Sequence, residues 1–382
     1  MPTPPRLNAW LKLAQGLLEC PTVALREDLP AAHVAAFAQA RPSLFLKRDA
    51  VGNLLVGYPG NGAGAKAPIV LVAHLDHPGF WIEAVRGRTV ELLFKGGVRT
   101  EHAVKGAPLA FYRRGEAQPT GFGKLSKSSG ANGRLVSATA RLERGTAECG
   151  GFSMWDFPGF SVRGGKIVSR CCDDLLGAAA ALCVLDELAR TKPKGIAAWG
   201  LFTRAEEIGF YGALWAVKQR WIPREARVIS LECSRALAVA PQGAGPVVRV
   251  GDSASLFDPP FTEALRQACE RVKKEDPSFL YQRKLMDGGA CEATAFCSAG
   301  YRSSGICVPL GNYHNQTGLD GGKKGIGPEN VAVSDFAGEV RLLLELVRHG
   351  RGLAKLEGTT RQAMAKRTKE AVKALRAHPL RG

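Results

Sequence analysis

Five short stretches of this chain carry histidine or carboxylate side chains where an apolar run ends. In the first, VLVAHLDH, the apolar residues 69–73 are followed by His74, Asp76 and His77. A metal-binding imidazole usually donates its second N–H to a nearby acceptor, and Asp76 could be that acceptor for His74. A strand that simply leaves the core and meets water would show the same local pattern. Further ligands elsewhere in the chain are therefore needed to favour a metal site.

Four more stretches supply such candidates. Adjacent carboxylates open a long apolar helix in CCDDLLG, and paired glutamates follow a buried strand in TRAEEIG. A glutamate ends the apolar run RVISLEC, and a histidine follows the strand-like ICVPL. The residues concerned are Asp173, Asp174, Glu206, Glu207, Glu232 and His314. Each stretch alone also fits an ordinary helix cap or strand end, but their repetition predicts a cluster at one edge of a sheet.

Two imidazoles with several carboxylates form a donor set that suits Zn²⁺, Co²⁺ or Mn²⁺. A carboxylate shared between two cations is one way to build a hydrolytic pair of metals. Hydrolysis also needs a base that binds no metal. In the pair Glu206 and Glu207, one side chain can ligate while the other takes a proton from water. The pattern predicts a metal-dependent hydrolase.

The surrounding segments predict an α/β fold. From residue 166 onward, helices alternate with buried strands, which favours a mostly parallel sheet covered on both faces. Residues 80–165 instead show short alternating runs broken by Gly, Pro, Ser and Asn, as in a small antiparallel β unit. We predict a three-layer α/β/α catalytic domain with a mixed, mostly parallel sheet, formed by 1–79 and 166–350. An inserted, barrel-like antiparallel β domain spans 80–165, and a basic, loosely helical tail spans 351–382.

Composition limits the classes of partner. Of the 382 residues, 45% are hydrophobic and 23% charged, as in soluble globular proteins. There is no signal-peptide pattern and no run of about 18 apolar residues, so we expect a cytoplasmic protein without a membrane partner. The ten cysteines lack C-x-x-C spacing and are predicted to be reduced core residues. The net charge of +17 could attract nucleic acid, but no nucleic-acid-binding motif accompanies it, so that partner is not expected.

The motifs HLDHPGF, SRCCDDLLG, TRAEEIGFYGA, LEC and NYHN, in this order, resemble those of the tetrahedral or deblocking aminopeptidases. This family of cytosolic, co-catalytic dinuclear metallopeptidases includes glutamyl aminopeptidases, and it places a β insertion between the motifs of His74 and Asp173. The related carboxypeptidase and deacylase family inserts its extra domain later in the chain. The resemblance implies an aminopeptidase that removes N-terminal residues from peptides and uses two divalent ions per subunit, Zn²⁺ or Co²⁺, with Mn²⁺ as an alternative.

The resemblance also implies a role for each site residue. The two sets of metal ligands would be His74, Asp173 and Glu232 for one ion, and Asp173, Glu207 and His314 for the other. Asp76 would orient the first histidine. Glu206 would be the general base that deprotonates a water between the metals. The peptide bond between Asp173 and Asp174 would be cis.

The chain departs from the family pattern at three places. Glu232 stands where the family usually has Asp. His77 and the two residues after it replace the sequence Glu-Ile-Gly, and residues 288–292 replace Gly-Gly-Thr-Asp-Ala. We expect these two loops to lie on the substrate side. The sequence indicates no partner for His77, His102 or His349. Apart from the expected position of the His77 loop, these three histidines are predicted to be core or surface residues.

Two other functions stay open at this point. A related dinuclear carboxypeptidase or N-acyl amino acid deacylase would share the metal site. An inactive, basic nucleic-acid-binding protein could keep the same fold, although an intact Glu206 and five candidate ligands argue against it. In the resembling family the inserted module joins subunits. We therefore expect a homo-oligomer, a dimer or larger, assembled through residues 80–165.

Overall fold

The computed structural model describes residues 6–60, 67–349 and 357–377. Its helices are α1 Leu7–Leu18, α2 Asp28–Gln39, α3 Leu175–Thr191, α4 Tyr211–Lys218, α5 Pro259–Glu275, α6 Glu292–Ser298, α7 Val333–Arg348 and α8 Thr359–Ala377. Its strands are β1 Phe45–Arg48, β2 Leu54–Tyr58, β3 Ile69–His74, β4 Gly79–Arg86, β5 Thr89–Lys95, β6 Pro108–Tyr112, β7 Gly121–Ala131, β8 Arg134–Gly145, β9 Phe152–Trp155, β10 Ser161–Arg163, β11 Lys166–Ser169, β12 Ala198–Thr203, β13 Arg227–Arg235, β14 Val247–Gly251, β15 Gln282–Leu285, β16 Arg302–Gly311, β17 Gln316–Thr317, β18 Gly325–Ile326 and β19 Glu329–Ala332.

The main sheet is parallel at its centre and antiparallel at its flanks. Its strand order is β1-β2-β12-β3-β13-β16-β19-β11-β10, with β14 and β15 attached beside β16. The four central strands β12, β3, β13 and β16 run parallel. Their carboxyl ends therefore reach the same edge of the sheet, where open α/β sheets hold their ligands.

Helices cover both faces of this sheet because side chains of a strand alternate between the faces. In β3, Ile69, Leu71 and Ala73 pack into the cluster that contains α1, α2, α3, α5 and α7. Val70 and Val72 point to the other face, toward α4 and α6. The predicted three-layer arrangement with a mixed sheet is confirmed.

A closed barrel follows β3 directly, with the antiparallel strand order β4-β5-β8-β7-β6-β9. It has its own core, which includes Phe80, Phe111 and Trp155. The chain enters the barrel at Gly79, where a Cβ would lie 2.2 Å from Cγ1 of Val23, so glycine permits the close approach of barrel and catalytic layers. The predicted insertion of an antiparallel barrel is confirmed as part of the fold class.

The division of the chain into domains stays a prediction. Strands β10 and β11 pair with each other and continue the main sheet, so β10 joins that sheet although it lies inside the predicted range 80–165. Within the predicted tail 351–382, helix α8 is described. Residues 351–356 and 378–382 lie outside the described residues.

The cysteines and helices allow two further statements. All ten cysteines, each within the described ranges, are free, and most are buried, although Cys149 is exposed. Within 6–60, 67–349 and 357–377, none of the helices has the length and apolar character needed to cross a membrane.

Candidate metal centre

The candidate ligands come from the carboxyl ends of the parallel strands. His74 is the last residue of β3, and Glu206 and Glu207 follow β12 by three and four positions. Glu232 lies in β13 near its end, and His314 lies in the turn after β16. Because His74 and Thr203 are register partners on β3 and β12, the two glutamates emerge beside the histidine. The parallel register thus brings four distant sequence segments to one place.

Asp173 reaches the same edge from the turn between β11 and α3. The peptide bond from Asp173 to Asp174 is cis, as the resemblance implied. Asp173 is 3% exposed, so its carboxylate is turned into the molecule rather than into solvent. It lies where the two implied ligand sets would meet.

Among the described residues, three groups of side chains have the geometry of a cation site, and two of them match the implied ligand sets. These two are His74, Asp173 and Glu232, and Asp173, Glu207 and His314. Within each group the potential ligand atoms lie within 4.8 Å of one another. The structure therefore brings together all five residues that the sequence analysis named as ligands. A further group combines His74 with Glu206 and Glu207.

Asp173 belongs to both ligand groups through different oxygens. Its Oδ1 is 3.5 Å from Nε2 of His74, and its Oδ2 is 3.5 Å from Nε2 of His314. Glu207 Oε1 lies 3.2 Å from the same nitrogen of His314. One carboxylate thus faces both imidazoles, which is the arrangement that a ligand shared by two cations requires.

Backbone carbonyl groups fix the orientation of both imidazoles. Nδ1 of His74 lies 3.0 Å from the carbonyl oxygen of Asp76, and Nδ1 of His314 lies 2.8 Å from that of Gly97. A carbonyl oxygen accepts but cannot donate, so each Nδ1 carries the proton. The Nε2 lone pairs therefore point at the shared carboxylate, as in a histidine prepared to bind a metal.

Asp76 orients the first histidine less directly than expected. Its Oδ1 is 3.5 Å from Nδ1 of His74, whereas its own backbone carbonyl accepts the closer hydrogen bond. The Asp76 carboxylate instead accepts from the backbone N–H groups of Glu206, at 2.9 Å, and Glu207, at 3.1 Å. It thereby holds the turn in which Ala205 adopts a φ of 55°. Asp76 couples the histidine segment to both glutamates.

Burial and charge repulsion perturb the carboxyl groups of the centre. Burial, with the neighbouring carboxylates of Glu232 and Glu207, raises the pKa of Glu206 well above its usual value. Burial likewise raises the pKa of Glu232 to about 8. Burial works against the charged form of Asp173, yet the imidazoles of His314 and His74 outweigh it and lower its pKa. So many acidic groups in one buried space would be stabilised by added positive charge.

The same residues fit a pair of divalent cations. Oδ1 of Asp173 and Oε1 of Glu207 are buried and have no hydrogen-bond partner in the described part of the chain. Unpaired buried carboxylate oxygens are costly unless a cation or donor satisfies them. Two imidazole nitrogens with three carboxylates form a donor set that suits Zn²⁺, Co²⁺ or Mn²⁺. The donor types and the unpaired oxygens therefore both fit a pair of divalent cations.

Comparison with known proteins identifies a similar peptidase family. The sequence profile of the M42 glutamyl aminopeptidases matches residues 136–319, a range that contains Asp173, both glutamates, Glu232 and His314. This part of the chain is therefore similar to the M42 peptidase family. No curated protein sequence matches it. The match indicates a peptidase, and the groups of histidine and carboxylate side chains could hold metal ions.

Solved structures share the fold of this chain at low sequence identity. An aminopeptidase from Desulfurococcus kamchatkensis superposes with a TM-score of 0.75 at 17% identity, covering 92% of this chain and 99% of that one. A TET aminopeptidase from a marine sediment thaumarchaeon gives 0.72 at 17% identity, with 90% and 99% covered. The TET1 peptidase of Pyrococcus horikoshii gives 0.70 at 18% identity, with 89% and 99% covered.

A cavity of about 500 Å³ opens beside the candidate metal centre. Gly97 and Arg99 of the barrel line one side, and the loop 288–290 lines another. The barrel therefore forms part of the cavity wall. Residues 288–290 line the cavity, in agreement with the expectation that the loop 288–292 lies on the substrate side.

Arginine is prominent in the cavity lining, which includes Arg99, Arg134, Arg235 and Arg249. Arg249 is the deepest of them, at 3% exposure. Its Nη1 lies 3.4 Å from the Ser234 hydroxyl, and its Nε has no hydrogen-bond partner among the described residues. Arg235, by contrast, forms an ion pair with Asp320. Arg249 is thus a buried cation beside a cavity.

His77 is a core residue, which is one of the two expected positions, but it does not lie on the substrate side where its loop was expected. It is fully buried and contacts the backbone of Asp173, so it lies behind the metal centre rather than on the substrate side. Two buried carboxyl groups near the centre, Glu292 and Glu329, were not predicted as site residues. Glu292 begins the short helix α6, and Glu329 begins β19. Neither follows a long apolar strand, so the signal that identified the ligands was absent.

Proposed function

We propose that this protein is a dinuclear aminopeptidase that hydrolyses N-terminal residues from peptides. The observation that carries the proposal is the position of Asp173, which belongs to both ligand groups and faces both imidazoles at 3.5 Å. We assign His74, Asp173 and Glu232 to one ion, and Asp173, Glu207 and His314 to the other. Zn²⁺ or Co²⁺ is the proposed metal, with Mn²⁺ as an alternative.

The chain's own residues divide the remaining work. When bound, two such cations would polarise the scissile carbonyl and lower the pKa of a water molecule. Glu206 belongs to neither proposed ligand set and lines the cavity, with its side chain 11% exposed. It is placed to accept the proton from that water and to deliver it to the leaving amine. Asp76 holds the backbone of Glu206 and so sets the direction of the carboxylate.

We further propose that the preferred N-terminal residue carries a carboxylate. Arg249 supports this because it is buried beside the cavity and its Nε has no hydrogen-bond partner among the described residues. A buried guanidinium is costly unless an anion is close. A carboxylate matches the fork of an arginine in charge and geometry. Glu232 and Asp252 already stabilise the charge of Arg249 from nearby, and an acidic side chain entering the cavity would add a direct partner.

We also propose that the protein assembles as a homo-oligomer through residues 80–165. The Pyrococcus horikoshii TET1 peptidase, which shares the fold, can assemble into a tetrahedron or a large octahedral shell. The barrel of this chain carries exposed apolar residues, including Val104 and Val136. These offer apolar area for an interface between subunits.

The function is tested by digestion of a peptide library that varies in its first residue. We expect metal removal to stop turnover, and Zn²⁺ or Co²⁺ to restore it. Free N-termini should be trimmed one residue at a time, while N-acetylated peptides stay intact. Release of C-terminal residues would instead indicate a carboxypeptidase, and hydrolysis of N-acyl amino acids a deacylase.

The substrate preference is tested with two arginine variants. Arg249→Met should lower kcat/KM for peptides that begin with Glu or Asp, relative to those that begin with Leu, by about 30-fold or more, because truncating one partner of a buried charge pair costs about 2–5 kcal/mol. Arg235→Met is the matched control, because Arg235 already pairs with Asp320 and should leave the ratio unchanged. An unchanged ratio in Arg249→Met would contradict the proposed preference.

A further inference from the structure

His77 connects the segments that carry three of the candidate ligands. It lies three positions after His74, at the point where the chain leaves β3 for the barrel. Its ring is fully buried. Nδ1 lies 2.8 Å from the carbonyl oxygen of Asp173, and Nε2 lies 3.1 Å from Oδ1 of Asn315. One side chain therefore bridges the turn of Asp173 and the turn of His314.

The side chain of Asn315 is held in the orientation that this bridge needs. Its Nδ2 donates to the carbonyl oxygens of Arg170, at 3.0 Å, and Gly327, at 3.2 Å. With both amide protons committed, Oδ1 is the atom that faces His77. Asn315 has a φ of 62°, a left-handed conformation that asparagine tolerates better than most residues. The far end of the bridge is thus fixed.

The backbone of Asp173 is held on both of its polar groups. Its N–H donates to Oε2 of Glu329 at 3.1 Å, and the N–H of Cys172 donates to the same oxygen at 2.6 Å. Its carbonyl oxygen faces His77. Glu329 and His77 are both fully buried, and Oε1 of Glu329 lies 4.0 Å from Nε2 of His77. Two side chains from opposite ends of the chain therefore fix one peptide segment.

His77 has no route to the substrate. It does not line the cavity beside the metal centre, whereas His74, Asp173 and His314 do. Any effect on hydrolysis must act through the residues that His77 holds. The residues that orient a ligand affect metal affinity by about 10–100-fold in metalloproteins. The contact of His77 with the main-chain carbonyl of Asp173 would orient the proposed bridging ligand in the same way.

We propose that His77 is a positioning residue for the bridging carboxylate, and that it holds Asp173 in register with His314 through Asn315. This inference rests on the proposed dinuclear site. It explains why a histidine can occupy the position directly after Asp76, where the resembling family has a glutamate. The ring faces one acceptor on each turn, and a neutral imidazole donates to one of them at a time whereas an imidazolium donates to both.

Two conservative variants separate the contacts of the ring. In His77→Asn the amide nitrogen lies near the position of Nδ1, so the hydrogen bond to the Asp173 carbonyl can persist. In His77→Gln the amide nitrogen lies near the position of Nε2, so the bond to Asn315 can persist while the bond to Asp173 is lost. We expect Co²⁺ affinity to stay within about threefold of wild type in His77→Asn, and to fall by about 10–100-fold in His77→Gln, the range for outer ligand contacts.

The measurement is calorimetric titration of the metal-free full-length protein with Co²⁺, together with the visible absorption spectrum of the bound ion. A changed spectrum in His77→Gln would report an altered ligand geometry, which a loss of packing alone would not produce. His102→Asn is the matched control, because His102 is a buried histidine of the barrel at 1% exposure. It should keep wild-type affinity and spectrum.

The outcomes distinguish this inference from the proposed function. Wild-type Co²⁺ affinity in both His77 variants, or equal losses in both with unchanged spectra, would overturn the positioning role. Neither result would contradict the proposed aminopeptidase activity, which is measured on the wild-type protein. If the wild type itself bound no metal and trimmed no peptide, the proposed function would fail first. Thermal unfolding of each metal-free variant verifies that the protein is folded before titration.

Discussion

At the scale of single residues, Asp76 connects the first candidate ligand to the candidate base. Its backbone carbonyl accepts from His74, and its carboxylate accepts from the N–H groups of Glu206 and Glu207. Three functional side chains therefore depend on one residue. The carboxylate acts on the glutamates through their backbone, so a change at Asp76 would move both of them. Its effect on catalysis would be indirect.

Glu206 offers the most direct test of the mechanism. Glu206→Gln keeps the shape of the side chain but cannot accept a proton, so kcat should fall by about 10²–10⁴-fold, the usual contribution of a general base. Bound metal, measured by elemental analysis, should stay at the wild-type level because Glu206 belongs to neither proposed ligand set. The matched variant Glu207→Gln should lose metal as well as activity. Near-normal turnover in Glu206→Gln would place the base elsewhere.

Glu292 predicts a pH dependence of stability in the metal-free protein. Burial raises its pKa from 4.5 to about 7, although His74 and Thr203 oppose the shift. Between these two values the folded state binds more protons than the unfolded state, so the free energy of unfolding falls as the pH rises. Glu292→Gln removes this titration. The substitution should raise the free energy of unfolding more at pH 8 than at pH 4. The difference between the two gains should be up to about 3 kcal/mol.

Urea unfolding of the metal-free protein at the two pH values measures this difference. Glu83→Gln is the control for the substitution itself, because Glu83 is an exposed glutamate of β4. A gain for Glu292→Gln that is the same at pH 4 and pH 8 would mean that the carboxyl group does not titrate in this range.

The sequence identified the ligands but not the groups that hold them. His74 and Glu232 could be predicted because each ends an apolar strand, and parallel strands share one edge. The contacts of His77 could not, since its partners Asp173 and Asn315 lie 96 and 238 positions away. Such contacts depend on the path of turns rather than on local periodicity. The bond from Asp76 to the Glu206 amide is of the same kind.

At the scale of elements, the parallel strands fix the site only as far as their last residues. Beyond them, turns with left-handed residues direct the side chains, including Ala205 at φ 55° and His314 at φ 53°. Such conformations are uncommon for residues other than glycine and persist where the surroundings enforce them. For Ala205 the surroundings include Asp76, which binds the next two amides, and helix α4, which begins soon after.

Gly212 of helix α4 tests how closely that turn is packed. A Cβ at this position would lie 2.5 Å from the backbone nitrogen of Arg204 and 2.5 Å from Oδ1 of Asn53. Gly212→Ala should therefore displace the turn that carries Glu206. We expect kcat to fall by about 10²-fold, the usual result of a 1 Å misplacement, and stability to fall by about 1–3 kcal/mol from overpacking.

Kinetics and thermal unfolding of Gly212→Ala measure both effects. Gly288→Ala is the control for stability, because a Cβ there meets no atom within 4 Å. An unchanged unfolding temperature and an unchanged kcat in Gly212→Ala would show that the turn accommodates a Cβ at this position. That result would contradict the prediction.

At the scale of the whole molecule, the barrel belongs to the site as well as to the surface. Gly97 of the barrel accepts from His314, and residues such as Phe152 and Met154 pack into the core of the catalytic layers. Deleting the barrel would therefore disturb the metal centre and expose the main core. Its proposed role in assembly is better tested by single surface substitutions than by removal.

Assembly through the barrel predicts a sensitivity to charge at its exposed apolar residues. Val104 is 39% exposed and Val136 is 42% exposed. Placing a carboxylate in a subunit interface costs several kcal/mol unless it is paired, so Val104→Asp and Val136→Asp should each reduce the mass measured by light scattering. Val239→Asp, at a residue of the catalytic part that is 61% exposed, is the control and should keep the wild-type mass.

Because every subunit carries a net charge of +17, higher salt should strengthen wild-type assembly by screening the repulsion. A wild-type protein that stays monomeric at both salt concentrations would remove the barrel's role in assembly and leave it as a wall of the cavity.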